Sequence, residues 1–349
     1  MPKTIKSCFY KKLTMEKLYE AHNRAKNNKT LKQDVLTFEV DLESNLSNIL
    51  TSIKNKTYKT GNYHIFTIYE PKERIIKSLP YKDRVVHQWY VEEFIKPYFI
   101  PRFIKDTYAC IPDRGMHKAV DTTQKYMRIM KRKYGEYYIL KCDIKKYFYT
   151  IDKDILVEIL QKHIKDKDLL DFSKLIIYDE EPIGIPIGNY TSQFFANIYL
   201  NELDQYIKHS LHIKYYVRFM DDFVVLCETK EEAKILKEKL SFFVEENLNL
   251  KLNDKTKYYP NKMGIDFCGY RIFETHRLLR KRCKKKINKN IKKWNKKYLI
   301  EDLDILQVRA QFNSWLGHSS HACSFKLRND KFNKLLFKED LITLGVKIK

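Results

Sequence analysis

The run Tyr215-Tyr-Val-Arg-Phe-Met-Asp-Asp-Phe-Val-Val-Leu226 places two consecutive aspartates between two apolar, aromatic and β-branched stretches. Flanks of that kind favour strands, and the polar pair between them favours a tight hairpin with acids at its tip. The constraint is electrostatic. Adjacent like charges repel and apolar surroundings disfavour the ionised form, so Asp221 and Asp222 need a positive group to meet them. A divalent cation would serve. The plain alternative is an exposed turn in which Asp merely suits the backbone.

A second acid sits in a comparable place. Tyr137 to Cys142 reads as a buried strand ending at Asp143, and the 77 residues between Asp143 and Asp221 leave room for helices that cover a sheet. Phosphoryl transfer by two metal ions needs carboxylates from separate strands holding the cations about 3.5 to 4 Å apart. Asp143 and Asp221 suit that demand, with Asp222 as a supporting acid and the backbone carbonyl of Ile144 as a further ligand. Hard oxygen donors of this type select Mg²⁺, two ions of it, with Mn²⁺ as the substitute.

The charge balance points to the partner. A net charge of +23 and a pI near 9.4 favour a polyanion, because Lys and Arg that neutralise phosphates release condensed counterions. From Arg277 to Tyr298 there are twelve Lys or Arg residues and no acid, with Ile287, Ile291, Trp294 and Tyr298 recurring at helical spacing. One face of that helix packs and the others are cationic. Arg277, Arg280, Lys281, Arg282, Lys284, Lys285, Lys292 and Lys293, together with Trp294, are the candidates for nucleic-acid contact; a solvated helix face is the alternative.

Several signals narrow the setting. Seven cysteines, odd in number and never in a C-x-x-C pair, fit reduced thiols in a cytoplasm, and Cys283, His318, His321 and Cys323 match no standard zinc spacing. No run of eighteen apolar residues suggests a membrane span, and the N-terminus has no secretory core.

The order of these pieces resembles reverse transcriptase motifs A, B and C: Asp143, then the Gly188 to Gln193 loop, then Phe219-Met-Asp-Asp222. Leu250-Lys-Leu-Asn-Asp-Lys-Thr256 resembles motif D, Phe267-Cys-Gly-Tyr270 the primer-grip hairpin, and Asp83-Arg-Val-Val-His87 a finger motif of the group II intron lineage. Within that lineage, Ile187-Gly-Asn-Tyr-Thr-Ser-Gln193 is similar to the signature of diversity-generating retroelement enzymes, whereas intron maturases usually end this motif Ser-Pro. Ser314 to Ala322 resembles the thumb of the same group. Phe219 departs from the commoner Tyr at that position, which should leave metal binding intact.

The resemblance implies an α+β right-hand polymerase fold: fingers, a palm of antiparallel sheet backed by helices, and a helical thumb. The expected division is an N-terminal helical extension over 1–60, fingers over 61–136 with 150–195 partly at the finger and palm junction, palm over 137–275, and a basic thumb over 276–349. It also implies roles. Phe148 would be the aromatic gate that excludes a ribose 2′-OH, with core packing as the rival. Ile187, Gly188 and Gln193 would contact nucleotide or template, with a simple turn and helix cap as the rival. Lys72 and Arg74 would hold the triphosphate and Lys255 would neutralise or protonate the departing pyrophosphate, with solvated surface as the rival for both lysines.

The implied activity is RNA-directed DNA synthesis from dNTPs on a template RNA, with a cDNA or primer strand, by a stand-alone bacterial or phage-encoded enzyme. Diversity-generating relatives err opposite adenine and use a small basic oligomeric accessory protein and a structured RNA. The alternatives are an anti-phage defence reverse transcriptase with a non-coding RNA, and an inactive RNA-binding scaffold.

Overall fold

The β-branched and aromatic runs become strands in the computed structural model, which describes residues 4–69, 73–178 and 181–348. In chain order they are β1 (His64–Ile68), β2 (Arg74–Ser78), β3 (Tyr138–Asp143), β4 (Tyr216–Phe219), β5 (Asp222–Cys227), β6 (Lys257–Pro260), β7 (Ile265–Phe267), β8 (Tyr270–Ile272) and β9 (Arg277–Leu279). They form the hairpin β1-β2, a four-stranded sheet ordered β4-β5-β3-β6, and the sheet β7-β8-β9. The pairs β1-β2, β3-β6, β4-β5, β7-β8 and β8-β9 are antiparallel, as an α+β class requires. The chain divides into two units, each discontinuous in sequence.

The first unit comprises residues 1–112, 142–214 and 237–256. Its N-terminal region, expected as a helical extension, forms helices Met15–Lys26, Gln33–Val40 and Leu42–Lys54 after a short turn at Phe9–Lys12. Thr14 caps the first of these by accepting from Lys17 N, and Asn28 adopts a left-handed φ of 59° just beyond its end. Helix Tyr81–Tyr90 passes through a π-helical turn, Val91–Ile95, into Lys96–Phe99. At its start the buried Asp83 accepts from Tyr58 Oη (2.6 Å) and Gly61 N (3.0 Å), so the carboxylate is satisfied internally.

Helix Tyr190–Gln205 is the core of this unit. From Thr191 to Asn201 every residue except Gln193 is buried, the pattern of a helix covered on all sides. The helix begins at Tyr190, behind Asn189, which makes no capping bond and instead donates from Nδ2 to Tyr63 Oη at 2.9 Å. Thr191 and Ser192 lie inside the first turn, because their small side chains fit a buried site that a cap would not reach.

The second unit comprises residues 113–141, 215–236 and 257–349. Helix Met116–Tyr134 runs between Gly115 and Gly135 and leads into β3, which contributes Tyr138–Lys141 to this unit. Those four residues pair with Lys257–Pro260 of β6, and β5 carries an unbroken buried run from Phe223 to Cys227. Between β7 and β8 the turn residues Cys268 and Gly269 both have left-handed φ, 46° and 87°, which matches the twist a two-residue hairpin needs.

Two expectations for the basic segment change. Arg277–Leu279 is a strand paired to β8, so the expected boundary at 275/276 would cut between hydrogen-bonded neighbours; the helix starts at Lys281 and runs to Leu299. Its apolar stripe, Ile287, Ile291 and Trp294, packs in one cluster with Phe312, Leu316 and Phe332 from helices Ile305–Ser320 and Phe325–Asn333. Among the described residues no helix is long and apolar enough to cross a membrane.

Candidate active site

The aspartate hairpin is tighter than the sequence suggested. Phe219 pairs with Asp222, leaving Met220 and Asp221 as the whole loop, so Asp221 alone sits at the tip and Asp222 opens β5. Met220 adopts φ 58°, a left-handed conformation at the first loop position that costs a non-glycine residue on the order of 1 kcal/mol or more. Its carbonyl is held by Arg218 Nη1 at 2.9 Å, and Arg218 is fully buried in β4. Asp222 Oδ1 is shielded from solvent, and its counter-charge is the ammonium of Lys141 on β3. That ammonium also stands 5.3 Å from the centre of the Phe267 ring, at the end of β7. The positive group that the paired acids demand is therefore present on the chain itself.

Asp143 falls in the first unit, Asp221 and Asp222 in the second. Asn253 donates to Asp143 twice, from its backbone N to the carbonyl (2.7 Å) and from Nδ2 to Oδ2 (3.0 Å). Ile144 faces Leu252 in an antiparallel bridge closed by Asn253 N to Asp143 O and Lys145 N to Lys251 O, the non-hydrogen-bonded type of pair. The Ile144 carbonyl consequently points away from the 251–253 segment. Phe148 is half-buried rather than core; its ring meets Tyr147 edge-on at 5.7 Å, and Tyr147 is anchored by donating to Ala196 O at 2.6 Å. Lys255 is exposed, and its backbone N donates to Asn253 Oδ1 at 3.1 Å.

The loop before helix Tyr190–Gln205 is pinned to β2. Lys77 N donates to Ile187 O at 2.9 Å, and Gly188 has φ 134° with no room for a side chain: a Cβ there would lie 2.5 Å from Lys77 O. The glycine thus serves a close approach to the β2 backbone, in keeping with the simple-turn alternative. Thr191 Oγ1 lies 2.9 Å from Nδ1 of His87, whose burial drives its pKa down to about 3 and keeps the ring neutral. Gln193 alone is exposed in this turn, with its Oε1 accepting from Cys110 Sγ at 3.4 Å. Arg74 is exposed at the first position of β2, while Lys72 lies outside the described residues.

Among the basic candidates, Arg280, Lys281, Arg282, Lys285, Lys292 and Lys293 are exposed and Lys284 is partly so. Two are corrected. Arg277 bonds inward, to Asp121 (2.6 Å) and Gln124 Oε1 (2.9 Å), and Trp294 is 5% exposed in the helical core, because the apolar stripe of this helix has to be buried somewhere. Sequence reasoning also passed over three residues that touch the acids or their loop: Lys141, Arg218 and Asn253. Their signals were a cation inside each apolar strand run and an amide beside the more conspicuous Lys255.

Among the described residues no three His, Cys, Asp or Glu side chains cluster so as to hold a metal ion. The donors are nonetheless of the type a hard divalent cation takes: in the second unit the hairpin carboxylates, one already matched by an ammonium, and in the first unit Asp143 with a backbone carbonyl turned away from its own ladder.

Comparison with known proteins adds an independent line. The family described as "Reverse transcriptase (RNA-dependent DNA polymerase)" matches residues 53–272. The group II intron-encoded protein LtrA of Lactococcus lactis subsp. cremoris is 22% identical over 309 residues, covering 66% of this chain and 50% of that protein. A putative COX1/OXI3 intron 2 protein of Saccharomyces cerevisiae is 23% identical over 212 residues, 41% of this chain and 25% of its own length. The chain thus spans half or less of these relatives. Telomerase from Candida albicans, solved in complex with a fragment of telomeric RNA, aligns at 13% identity and a TM-score of 0.47, over 82% of this chain and 61% of that one.

Proposed function

The chain belongs to the reverse transcriptase (RNA-dependent DNA polymerase) family, and on that footing we propose that it copies a template RNA into cDNA from dNTPs. One observation carries the reading: within the matched span, a two-residue loop presents Asp221 and opens β5 on Asp222, while Asp143 closes β3. Asp143, Asp221 and Asp222 are the proposed carboxylate ligands, with the Ile144 carbonyl as a further proposed ligand. Two bound Mg²⁺ ions would activate the primer 3′-hydroxyl and neutralise the departing pyrophosphate.

The remaining roles belong to the chain. Asn253 orients the Asp143 carboxylate through its 3.0 Å bond. Arg74, with Lys72, holds the triphosphate by charge-assisted hydrogen bonds, and Lys255, free to reach from an exposed position, meets the pyrophosphate. Phe148 lies under the sugar and excludes a 2′-OH. Gln193, the exposed residue of an otherwise buried turn, contacts template or nucleotide. The fingers comprise 61–136, the palm 137 to about β9, and the thumb the helices from Lys281 onward, whose exposed cations bind phosphate backbones.

The finer reading is a diversity-generating retroelement enzyme that errs opposite adenine, working with a structured RNA and a small basic accessory protein. The Ile187 to Gln193 motif supports it. Mg²⁺-dependent primer extension on a defined RNA tests both levels. Wild type should extend and Asp221→Ala should not; equal failure of the two would reject the polymerase reading. Sequenced products should carry errors concentrated opposite adenine, and uniform accuracy would favour the defence-type alternative.

A further inference from the structure

Lys141 stands between two features that the proposed chemistry uses separately. Its ammonium pairs with Asp222 at the start of β5, and it also lies over the Phe267 ring, 5.3 Å from the centroid, where β7 enters the turn toward Tyr270. The same charge acts on the adjoining turn: burial pushes the Cys268 thiol up to about 12, and Lys141 is the first of the groups opposing that rise. All four residues belong to the second unit. The Lys141 side chain is only 15% exposed, so its charge is poorly screened and must be matched within the protein.

We infer that Lys141 is a resident counter-ion for Asp222, a positioning residue that holds the carboxylate while no metal is bound and withdraws toward the Phe267 ring when a divalent cation arrives. The inference rests on the reading of Asp222 as a metal ligand. Its physical basis is competition. A carboxylate beside a buried strand cannot remain uncompensated, so the ammonium keeps the hairpin in register before metal binds, at the cost of opposing the cation's entry. The ring gives the displaced ammonium a second seat, because an aromatic face attracts a cation that has lost its carboxylate. Metal binding at Asp222 is thereby coupled to the β7-β8 turn, with Lys141 as the moving part.

Two substitutions predict opposite signs. Lys141→Met removes the competitor, so the free full-length chain should bind Mn²⁺ more tightly, on the order of tenfold, in a calorimetric or thermal-shift titration. Without metal, in EDTA, the same variant should melt lower than wild type, since Asp222 loses its counter-charge. Phe267→Leu keeps the core apolar but removes the second seat, and should weaken Mn²⁺ binding several-fold. Lys141→Arg should keep wild-type affinity to within about twofold, and also serves if Lys141→Met does not fold. In an Asp222→Asn background the Lys141→Met effect should vanish. Equal Mn²⁺ midpoints for wild type, Lys141→Met and Phe267→Leu would overturn the counter-ion role while leaving the metal site standing. Absence of any Asp222-dependent Mn²⁺ binding in wild type would overturn both.

Discussion

Replacing Gly188 with alanine gives the most direct test of how the 187–193 loop is held. The added Cβ would stand 2.5 Å from the carbonyl oxygen of Lys77 and 3.3 Å from Ile76 Cγ2, at a φ of 134° that L-residues rarely adopt. The nearer obstacle is backbone in a paired strand, so it cannot rotate aside. Backbone strain contributes about 1–3 kcal/mol, and losing the Lys77 N to Ile187 O bond contributes about 0.5–1.5 kcal/mol. A loss of ~2–4 kcal/mol follows, about 5–15 °C in Tm for a unit of this size. Trp89 belongs to the first unit and Trp294 and Trp315 to the second, so fluorescence melting in a Trp294→Phe, Trp315→Phe background reports on the loop's own unit. Gly317 supplies the contrast: it lies in helix Ile305–Ser320, where an added methyl group would meet nothing within 4 Å, so Gly317→Ala should stabilise by ~0.5–1 kcal/mol. If Gly188→Ala melts within about 1 °C of its parent, the loop is not pressed against β2 and the argument for this glycine fails.

Other expectations follow from the same geometry. His87 is held near pKa 3 by burial and is protonated near 6.5 once unfolded, so its contribution is complete above about pH 6.5 and declines toward pH 3. The slope is ~1.4 kcal/mol per pH unit, and His87→Gln should flatten the pH dependence of the urea midpoint between pH 7 and 5; parallel profiles would contradict it. Trp294→Ala should cost ~3–5 kcal/mol by opening a core cavity. Lys292→Ala and Lys293→Ala should instead leave melting within about 0.5 kcal/mol yet each lower the salt slope of RNA binding by somewhat less than one; a reversed pattern would restore Trp294 as a contact residue. Phe148→Ala should reduce the preference for dNTP over rNTP at least about tenfold in single-nucleotide incorporation, with Phe148→Tyr retaining it. An unchanged ratio would remove Phe148 from the gate.

The elements most legible in the sequence were those in which local preference and burial agree. Helix Lys153–His163 is one: Asp152 caps it, accepting from Asp154 N and Ile155 N, and its apolar spacing is regular. The aspartate hairpin was legible for the same reason, with β-branched residues on both sides of a two-residue loop. The start of helix Tyr190–Gln205 is hard to read because a helix buried all round carries no polar face to mark its ends, and small polar residues inside it imitate a cap. β9 was hidden because three residues, Arg277–Leu279, adjoin a Lys-rich helix whose charge dominates any window that includes them. Trp294 carried two meanings that composition cannot separate, a large ring for stacking and a large ring for packing; only the neighbouring Phe312 and Phe332 decide between them.

Charge inside apolar strands was the signal with most still to yield. Lys141 follows Tyr-Ile-Leu in β3 and Arg218 follows Tyr-Val in β4, and alternation alone would turn each outward to water. Both are instead largely or wholly buried, which long cationic side chains tolerate only when a matching group is at hand. The two cations and the acid pair form one matched set: Arg218 grips the carbonyl of the loop that presents Asp221, and Lys141 neutralises Asp222. The hairpin's need for a positive partner, evident from Asp221 and Asp222 alone, is met at Asp222 by Lys141, while Arg218 holds the loop's backbone. A metal ion bound at Asp222, as proposed, would have to win that carboxylate from an ammonium already in place.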